Sequence, residues 1–486
     1  MTDAIVIGAG PNGLAAAIRL AEAGRQTLIL EAADAPGGAV RTEELTLPGF
    51  HHDTFSSVYP AAVASPVWGR MPLERHGLEW VHPQAAYAHP LPGGDARLLY
   101  RDLDRTAANV DGRWAEFAEP FLKHFDAVRA TMLTGFPPVG GPLKLLGGAG
   151  PLKLLEFARM LPGSATGLGK RLFPDDPASR AWLYGAALHG DTPPNGPGSA
   201  IAAFYLNLLG HAVGWPSPRG GAERLTDALV AYFSSLGGEL RTSARVTKVI
   251  SAGGHVTGVA TADDEFFAPT VIADLMPHHL AKMADLPGWY DALLRRYQLG
   301  ASTVKVDWAL DGPIPWENPD VHGAGTVHVA GAEDTFLQSV AQAHNGPADN
   351  PFLLLGQQSV ADPTRAPAGK HTAWAYTHGP QRRPWTENIV ERIENQVERF
   401  APGFKDRILA RHVLLPGDLE ARNPNLIGGD VGGGSYRLNQ VVFRPLPKLN
   451  PYKTPLKGLF IGSAATFPGG AVHGVPGDAA AGAALK

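Results

Sequence analysis

The chain has 486 residues, of which 44% are hydrophobic and 18% are charged, so its composition excludes global disorder and suffices for a sizeable core. Its 42 basic and 46 acidic residues give a net charge of −4, which offers nucleic acid no overall attraction. The chain has no cysteine, which excludes disulfide frameworks, zinc–thiolate sites, iron–sulfur clusters and thiol nucleophiles.

The first thirty residues follow the order strand, glycine-rich turn, helix, strand and acid. Residues 3–8 predict a short strand of the buried parallel type, and a helix follows the turn and stops at Gly24. Residues 27–30 predict a second strand, which ends at Glu31 and Ala32. The turn consists of Gly8, Ala9, Gly10, Pro11, Asn12 and Gly13. This order is typical of a dinucleotide-binding unit.

The glycines of this turn each have a physical function in such a unit. Gly8 permits the tight turn, Gly10 lets a pyrophosphate approach the backbone, and Gly13 lets the helix pack close to the strand. The free N–H groups at the start of the helix then face the phosphates. Glu31 lies 18 residues after Gly13, where a carboxylate can accept hydrogen bonds from a ribose diol.

A second glycine pair favours FAD over NAD. Gly37, Gly38 and Arg41 follow the acid at the end of the second strand. This segment resembles the extended FAD fingerprint of the glutathione-reductase-like flavoproteins, in which the glycines admit a second stretch of cofactor. Arg41 can supply a fixed charge near the pyrophosphate or the flavin. The alternative is an ordinary Gly-Gly loop.

Residues 142–171 contain a near-repeat, PLKLL and again PLKLL, in which apolar residues alternate with Lys and Arg and the one acid is Glu156. One interpretation is an amphipathic patch that contacts a membrane or a partner and opens toward a lipid-derived substrate. The other interpretation, which we favour, is a surface helix pair whose apolar face packs on the core.

The middle of the chain predicts a helix from Gly220 to about Leu236. Residues 239–249 and 255–260 predict strands around a Gly-Gly turn, and residues 271–274 predict a returning strand.

Lys305 lies in a predicted strand among apolar residues, where a lysine is costly to bury without a partner. Strand periodicity places Lys305 and Asp307 on one face, so the two can form an ion pair. Two interpretations of Lys305 are open. Either it has a functional role, or it is structural and pairs with Asp307 or reaches solvent from an edge strand.

The C-terminal segment predicts another short buried strand over residues 458–463, which ends in Gly462 and Ser463. A glycine-rich turn containing Ala471, Val472 and His473 and a small-residue helix from Asp478 to Leu485 follow. The start of this helix is suited to stabilising negative charge on a reduced flavin. His473 is a candidate for orienting substrate or flavin, and equally for shaping the backbone.

The chain has 18 histidines, none in the spacing of a helical zinc site, so we predict no metal. No apolar run approaches the roughly 20 residues that cross a bilayer. A strand that starts at Asp3 leaves no room for a signal peptide. We therefore expect a cytoplasmic protein, peripheral to a membrane if residues 142–171 contact one.

Seven segments, spread from end to end, resemble the phytoene desaturase-related branch of the FAD-dependent amine oxidoreductases. They are particularly similar to the bacterial group related to the animal pyridine nucleotide-disulphide oxidoreductase domain-containing protein 2. The tail departs from that pattern at Val475-Pro476-Gly477-Asp478, where a bulkier and less charged stretch is usual. The segments are IVIGAGPNGLAAAIRLAEAG, LILEAADAPGGAVRT, GFHHDTFSSVYP, HAVGWPSPRGGAERLTDAL, RVTKVISAGGHVTGVA, VIADLMP and GLFIGSAATFPGGAVHGVPGDAAAGAAL.

The resemblance implies an α/β fold with a discontinuous, glutathione-reductase-like Rossmann FAD domain and an inserted α+β substrate domain. The FAD domain would comprise residues 1–105, 215–280 and 425–486, and the substrate domain residues 106–214 and 286–424. In such proteins the hairpin touches the adenine end of FAD, here through the backbone of Val246, and the strand lysine, here Lys305, holds a water against flavin N5.

The implied activity is FAD-dependent desaturation, saturation or isomerisation of C–C bonds in an apolar substrate such as a polyene or isoprenoid. Because no second strand-preceded glycine motif occurs, we expect oxygen or a quinone as electron acceptor, or a redox-neutral isomerisation. Two alternatives are a flavin amine oxidase that uses oxygen, motivated by Lys305, and a flavoprotein scaffold with little turnover.

Overall fold

The computed structural model describes residues 2–486 and contains two large β-sheets. The first is a parallel sheet whose central strand, Ala4–Ile7, pairs in register with Thr27–Leu30 and Thr270–Ala273. All three of these strands are almost wholly buried, as expected of a sheet covered on both faces. Its five strands lie in the order Leu459–Ile461, Thr270–Ala273, Ala4–Ile7, Thr27–Leu30 and Glu239–Arg241.

Both termini contribute to this sheet, as the sequence predicts. The helix after the glycine turn is Pro11–Glu22, and the C-terminal helix is Val475–Ala484, which begins three residues before the predicted start. The two helices pack against each other, so the ends of the chain lie together.

The prediction of one strand over residues 239–249 is wrong. Glu239–Arg241 is the edge strand of the parallel sheet, whereas Lys248–Ala252 belongs to a separate antiparallel sheet. Between them Ser243 adopts a positive φ of 53°, and its N–H donates to the carbonyl of Ala33, so the chain turns away. The predicted hairpin is present as Lys248–Ala252 paired with His255–Ala260, and Glu265–Phe267 adds a third strand to its sheet.

The second large sheet has seven strands and is antiparallel except at one pair. One face of this sheet packs on the helix Ile389–Glu398. Two of its strands, Ala85–Pro90 and Ala96–Leu99, come from the segment that the sequence analysis grouped with residues 1–105. In spatial order the strands are Ile408–Leu414, Ser302–Leu310, His371–Gly379, Leu353–Gly356, Ala324–Val329, Ala85–Pro90 and Ala96–Leu99.

Helices cover the two large sheets. Two short strand pairs lie outside these sheets: Thr42–Glu43 with His52–Asp53, and Trp80–Val81 with Ser217–Pro218. The predicted helix after Gly220 is Glu223–Ser235. No helix within residues 2–486 combines the length and the apolar character that crossing a membrane requires. The other α-helices are Pro60–Val63, Leu103–Asn109, Gly112–Lys123, Phe125–Met132, Gly140–Met160, Ala165–Leu172, Pro177–Ala187, Ser199–Ala212, Pro277–Met283, Gly288–Arg295, Glu333–Ala343, Gln358–Ala361, Pro416–Arg422 and Leu438–Val441.

The near-repeat of residues 142–171 forms the helix Gly140–Met160, broken at Gly150, and part of the helix Ala165–Leu172. One side of the broken helix is buried through Leu145, Phe157 and Met160. The opposite side leaves a set of large apolar side chains in solvent. This exposed leucine surface consists of Val139, Leu143, Leu146, Leu152, Leu155 and Leu161. The favoured interpretation, packing on the core, is therefore confirmed for one side, and contact of the other side with a membrane or a partner stays a prediction.

Candidate functional site

The two chain ends meet with very little space between them. A Cβ added at Gly477 would lie 1.8 Å from the carbonyl oxygen of Asn12, and one added at Gly462 would lie 2.9 Å from the Cβ of Ala480. Arg19 of the first helix also forms an ion pair with Asp478 of the last. Small residues in the last helix are therefore needed for it to approach the glycine turn.

The glycine turn has the geometry that its sequence predicts. Gly8 has a φ of +98°, which disfavours any side chain, and a Cβ at Gly13 would lie 2.0 Å from the carbonyl oxygen of Gly8. Gly38, with a φ of +55°, lies so close that a Cβ on it would be 3.0 Å from the Cα of Gly10. The two glycine motifs thus form one cradle, in which backbone without side chains comes into close contact.

Glu31, the acid predicted to bind ribose, lies at the edge of this cradle. Glu31 Oε2 accepts a hydrogen bond from the N–H of Ala9 at 2.7 Å, and Oε1 accepts one from the N–H of Ala33 at 2.8 Å. Arg41 lies in the next loop and donates to the carbonyl of Ala35 at 3.2 Å. Val246 is buried near the start of the hairpin.

A second acid in the cradle, Asp274, escaped the sequence analysis. It follows the strand Thr270–Ala273 and therefore lies at the same sheet edge as the glycine turn. Its Oδ2 accepts the N–H of Gly13 at 3.0 Å. Burial, reinforced by the charge of Glu31, raises the pKa of Asp274 to about 7. The signal in the sequence was an acid directly after a buried parallel strand.

Lys305 belongs to a buried cluster of charges. Its ammonium group pairs with Asp307 and donates to the backbone oxygen of Asp53 at 3.0 Å. Asp53 in turn pairs with Arg365, Nη2 to Oδ1 at 2.8 Å. Burial, with Lys305 and Arg365 nearby, lowers the pKa of His52 to about 3, so this imidazole is neutral at physiological pH. The pairing of Lys305 with Asp307, one of the two sequence interpretations, is therefore present.

Burial also raises the pKa of Asp307 to about 6, although the charge of Lys305 opposes this shift. Asp53 accepts further hydrogen bonds from the N–H of Ala222 at 2.8 Å and from the hydroxyl of Thr42 at 2.9 Å. The cluster thus ties the seven-stranded sheet to the loops that surround the cradle.

His473 directs both ring nitrogens to its own turn. Nε2 contacts the carbonyl of Gly470 at 3.0 Å, and Nδ1 accepts the N–H of Val475 at 3.2 Å. Its carbonyl accepts a hydrogen bond from the hydroxyl of Ser65 at 2.6 Å. Burial lowers its pKa to about 4. These contacts are those of a residue that shapes the turn, and the neutral ring carries no charge toward the site.

The inner face of the seven-stranded sheet is aromatic. Trp374, Tyr376 and His378 alternate along one strand, and the rings of Trp374 and Tyr376 are parallel with centroids 5.7 Å apart. In the sheet register Tyr376 pairs with Lys305 and Trp374 pairs with Asp307. His378 also lines a small cleft together with His189. The aromatic residues at every second position of residues 374–378, WAYTH, could have indicated this aromatic face from the sequence.

The residues of the cradle fit a dinucleotide. Asn12 is nine-tenths buried at the start of the first helix, and its Oδ1 has no hydrogen-bond partner within the protein. The backbone of Gly10 and Gly38 is bare where a Cβ would obstruct a bound phosphate chain. Residues 2–486 contain no cluster of three or more His, Asp or Glu arranged to hold a metal ion.

The parallel sheet, the cradle and the converging termini are those of a flavoprotein of the oxidoreductase class, with FAD as its cofactor. The sequence model of the flavin-containing amine oxidoreductases matches residues 12–480, and the chain belongs to this family.

Two curated relatives extend over nearly the whole chain. One is pyridine nucleotide-disulfide oxidoreductase domain-containing protein 2 of Mus musculus, 28% identical over 99% of this chain and 92% of the relative. The other is a neurosporene-forming phytoene desaturase of Rhodobacter capsulatus, 24% identical over 98% of this chain and 92% of the relative.

Two solved structures have the same fold. An oxidoreductase from Methanosarcina mazei has a TM-score of 0.65 and 17% identity, covering 98% of this chain and 99% of its own. A putrescine oxidase with bound putrescine has a TM-score of 0.63 and 17% identity, covering 100% of this chain and 99% of its own. At this identity the similarity establishes the fold alone.

Proposed function

We propose that the protein is an FAD-dependent oxidoreductase that acts on C–C bonds of an uncharged, apolar small molecule. The observation that carries this proposal is that the inner sheet face presents aromatic rings and no free charge. Lys305 is neutralised by Asp307, and burial holds the pKa of His378 at about 4. An uncharged face favours an apolar ligand, because burying an unpaired charge beside it would be costly. The phytoene desaturase relative supports the same reaction class.

The proposed domain division follows from the sheets. We infer a discontinuous, glutathione-reductase-like Rossmann domain for FAD, formed by residues 1–84, 215–280 and 425–486. A substrate domain would comprise residues 85–214 and 286–424. The boundary near residue 84 replaces the one near residue 105, because the strands Ala85–Pro90 and Ala96–Leu99 pair within the larger sheet.

In the mechanism, bound FAD supplies the capacity to accept or return a hydride. The chain's residues bind and orient it. Gly8, Gly10 and Gly13 would admit the diphosphate, and Glu31 would turn to the ribose. The backbone of Val246 would meet the adenine.

The remaining contacts would lie nearer the flavin. Arg41 would supply positive charge beside the diphosphate or the ring. The segments Gly462–Ser463 and Ala471–His473 would approach the ring from the C-terminal side. The start of the helix Val475–Ala484 would stabilise negative charge there. Because C–H cleavage next to a double bond depends mainly on placement, we assign no general base. Oxygen or a quinone would accept the electrons.

The direct experiment is anaerobic incubation of the flavin-loaded protein with separate panels of polyenes, isoprenoids and amines. Loss of the oxidised flavin absorbance with a polyene or isoprenoid, followed by detection of a desaturated product, would support the proposal. Reduction by amines alone would reject it. No reduction by any compound would favour a scaffold with little turnover.

A flavin amine oxidase is the second candidate, and Lys305 is its specific support. The lysine is buried on the inner sheet face, with its ammonium group 5.9 Å from the ring centre of Trp374. If Lys305 positions water or oxygen at the flavin, peroxide formation with amines should be lost in the double variant Lys305→Met/Asp307→Leu. That variant removes both charges of the pair, so no buried charge is left unpaired.

We also propose that the exposed leucine surface contacts a membrane. Four of its members are more than 45% exposed, and Lys144, Lys153, Lys170 and Arg171 lie in the same two helices. Leucines interspersed with basic side chains suit an anionic lipid surface. An apolar substrate would dissolve in that phase.

A further inference from the structure

Asp274 occupies the space that the glycine turn leaves for a phosphate. Its Oδ2 lies 2.9 Å from the position that a Cβ on Gly10 would take and accepts the N–H of Gly13 at 3.0 Å. The missing side chain of Gly10 is what permits a pyrophosphate to approach this backbone. A carboxylate of the protein therefore stands where the anionic part of the cofactor is expected.

The groups that face Asp274 from neighbouring elements leave its charge uncompensated. The helix Pro11–Glu22 offers the amide of Gly13, and the segment before residue 430 offers Asn425, whose Nδ2 donates to the backbone oxygen of Asp274 at 2.9 Å. Glu31, another acid, directly follows the strand Thr27–Leu30, and its charge raises the pKa of Asp274. His279, in the helix Pro277–Met283 that follows Asp274, contacts the carbonyl of Pro424 instead.

Burial and the charge of Glu31 both favour the neutral form of this carboxylate. Together they raise its pKa to about 7, and the hydrogen bond from Gly13 opposes them only in part. The side chain is therefore able to change its charge within the physiological range.

We propose that Asp274 takes up a proton when FAD binds, so that cofactor affinity depends on pH through this one side chain. The proposal rests on the placement of the diphosphate at the glycine turn. Two negative phosphates and a carboxylate compete for the same N–H groups and the same positive end of the helix dipole. Protonation removes the repulsion, and the neutral acid is then free to donate a hydrogen bond to a phosphate oxygen.

The coupling of FAD binding to proton uptake predicts the direction in which FAD affinity changes with pH. Below about pH 7 Asp274 is already protonated and FAD binds without a proton cost. Above that pH each binding event must take a proton from solvent, so the affinity falls toward tenfold per pH unit. The neutral, isosteric variant Asp274→Asn lacks this cost. It should bind FAD about as tightly as the wild type near pH 6 and roughly 100-fold more tightly near pH 9.

The test measures FAD dissociation constants of the full-length protein, stripped of flavin and reconstituted, from about pH 6 to about pH 9. Three proteins are compared: wild type, Asp274→Asn and the control Asp285→Asn, which makes the same chemical change at an exposed position. We expect a falling affinity in the wild type and the control and a nearly constant affinity in Asp274→Asn. A wild-type affinity that does not change with pH would overturn the proposal.

Calorimetry provides a second measurement that needs no variant. FAD binding near pH 8 in buffers of different ionisation enthalpy reports the protons taken up directly. About one proton per FAD is expected from full linkage, and a value near zero would reject the role of Asp274. Failure of the wild type to bind FAD at any pH would instead reject the cradle itself.

Discussion

Arg365 and Asp53 form an ion pair that is completely enclosed, with Nη2 and Oδ1 2.8 Å apart and side chains 1% and 0% exposed. The pair connects the short 3-10 helix Pro363–Arg365 to the strand His52–Asp53, which pairs with Thr42–Glu43. Lys305, Asp307 and His52 surround it. The charges are balanced, so each member depends on the others to remain buried.

Removal of the arginine should therefore be costly. Arg365→Met leaves Asp53 charged, buried and short of a partner, and we expect about 3–5 kcal/mol loss in the free energy of unfolding. Denaturant titration would measure this. The matched control is Arg219→Met, which breaks an exposed pair with Glu79 and should change stability little. Equal effects of the two substitutions would contradict a structural role for the buried pair.

The neutral state of His52 predicts how the stability of the protein changes at acidic pH. The pKa of His52 is about 3 in the folded protein, depressed below the ordinary 6.5, so folding favours its neutral form. Its contribution is complete above about pH 6.5 and is lost as the pH falls toward 3. His52→Gln should therefore lose less stability than the wild type over that window.

The measurement is the free energy of unfolding at several pH values for wild type, His52→Gln and His255→Gln, whose histidine is exposed. The control should follow the wild type. Parallel curves for all three proteins would show that His52 is not held neutral by its surroundings.

The contact between the chain ends should tolerate no added atoms. Gly477→Ala places a methyl group 1.8 Å from the carbonyl oxygen of Asn12, so the last helix must move away from the glycine turn. We expect destabilisation of about 1–3 kcal/mol and weaker retention of FAD. Gly147→Ala is the control, because nothing lies within 4 Å of its added Cβ. Unchanged stability and flavin content in Gly477→Ala would contradict the packing.

The exposed leucine surface predicts binding to anionic vesicles. Leu143→Ser/Leu152→Ser removes two side chains that are 66% and 80% exposed, so folding should be preserved while vesicle binding falls. Co-sedimentation with vesicles of mixed neutral and anionic phospholipid measures this. Leu449→Ser, at an 88% exposed position in a different segment, is the control. Binding that is equal in all variants, or absent in the wild type, would reject this surface as a membrane contact.

The parts of the fold that could be predicted from sequence are those specified locally. The glycine turn, its flanking strands and the hairpin at residues 248–260 depend on neighbouring residues and on short periodicities. The ion pair of Asp53 with Arg365 and the contact of Asp274 with Gly13 join residues far apart in the chain. Such contacts depend on sheet order, which the local pattern does not contain.

The sheet membership of two early strands illustrates the same limit. The strands Ala85–Pro90 and Ala96–Leu99 have an ordinary strand pattern, and nothing nearby indicates which sheet they join. They pair with each other, and the strand that joins Ala85–Pro90 to the larger sheet, Ala324–Val329, comes much later in the chain. For Lys305, by contrast, strand periodicity alone correctly placed Asp307 on the same face.

The proposed function depends most on FAD binding in the cradle between the two chain ends. The flavin content of Gly10→Val tests this binding directly. The purified wild type is expected to carry about one FAD per chain, released on denaturation. In Gly10→Val the added Cβ would lie 2.9 Å from Oδ2 of Asp274, so that carboxylate must shift, and the side chain would obstruct the approach of the diphosphate. The variant is expected to fold but to carry little FAD even after incubation with excess cofactor. Full FAD occupancy in this variant, or a wild type that stays colourless after reconstitution, would contradict the account.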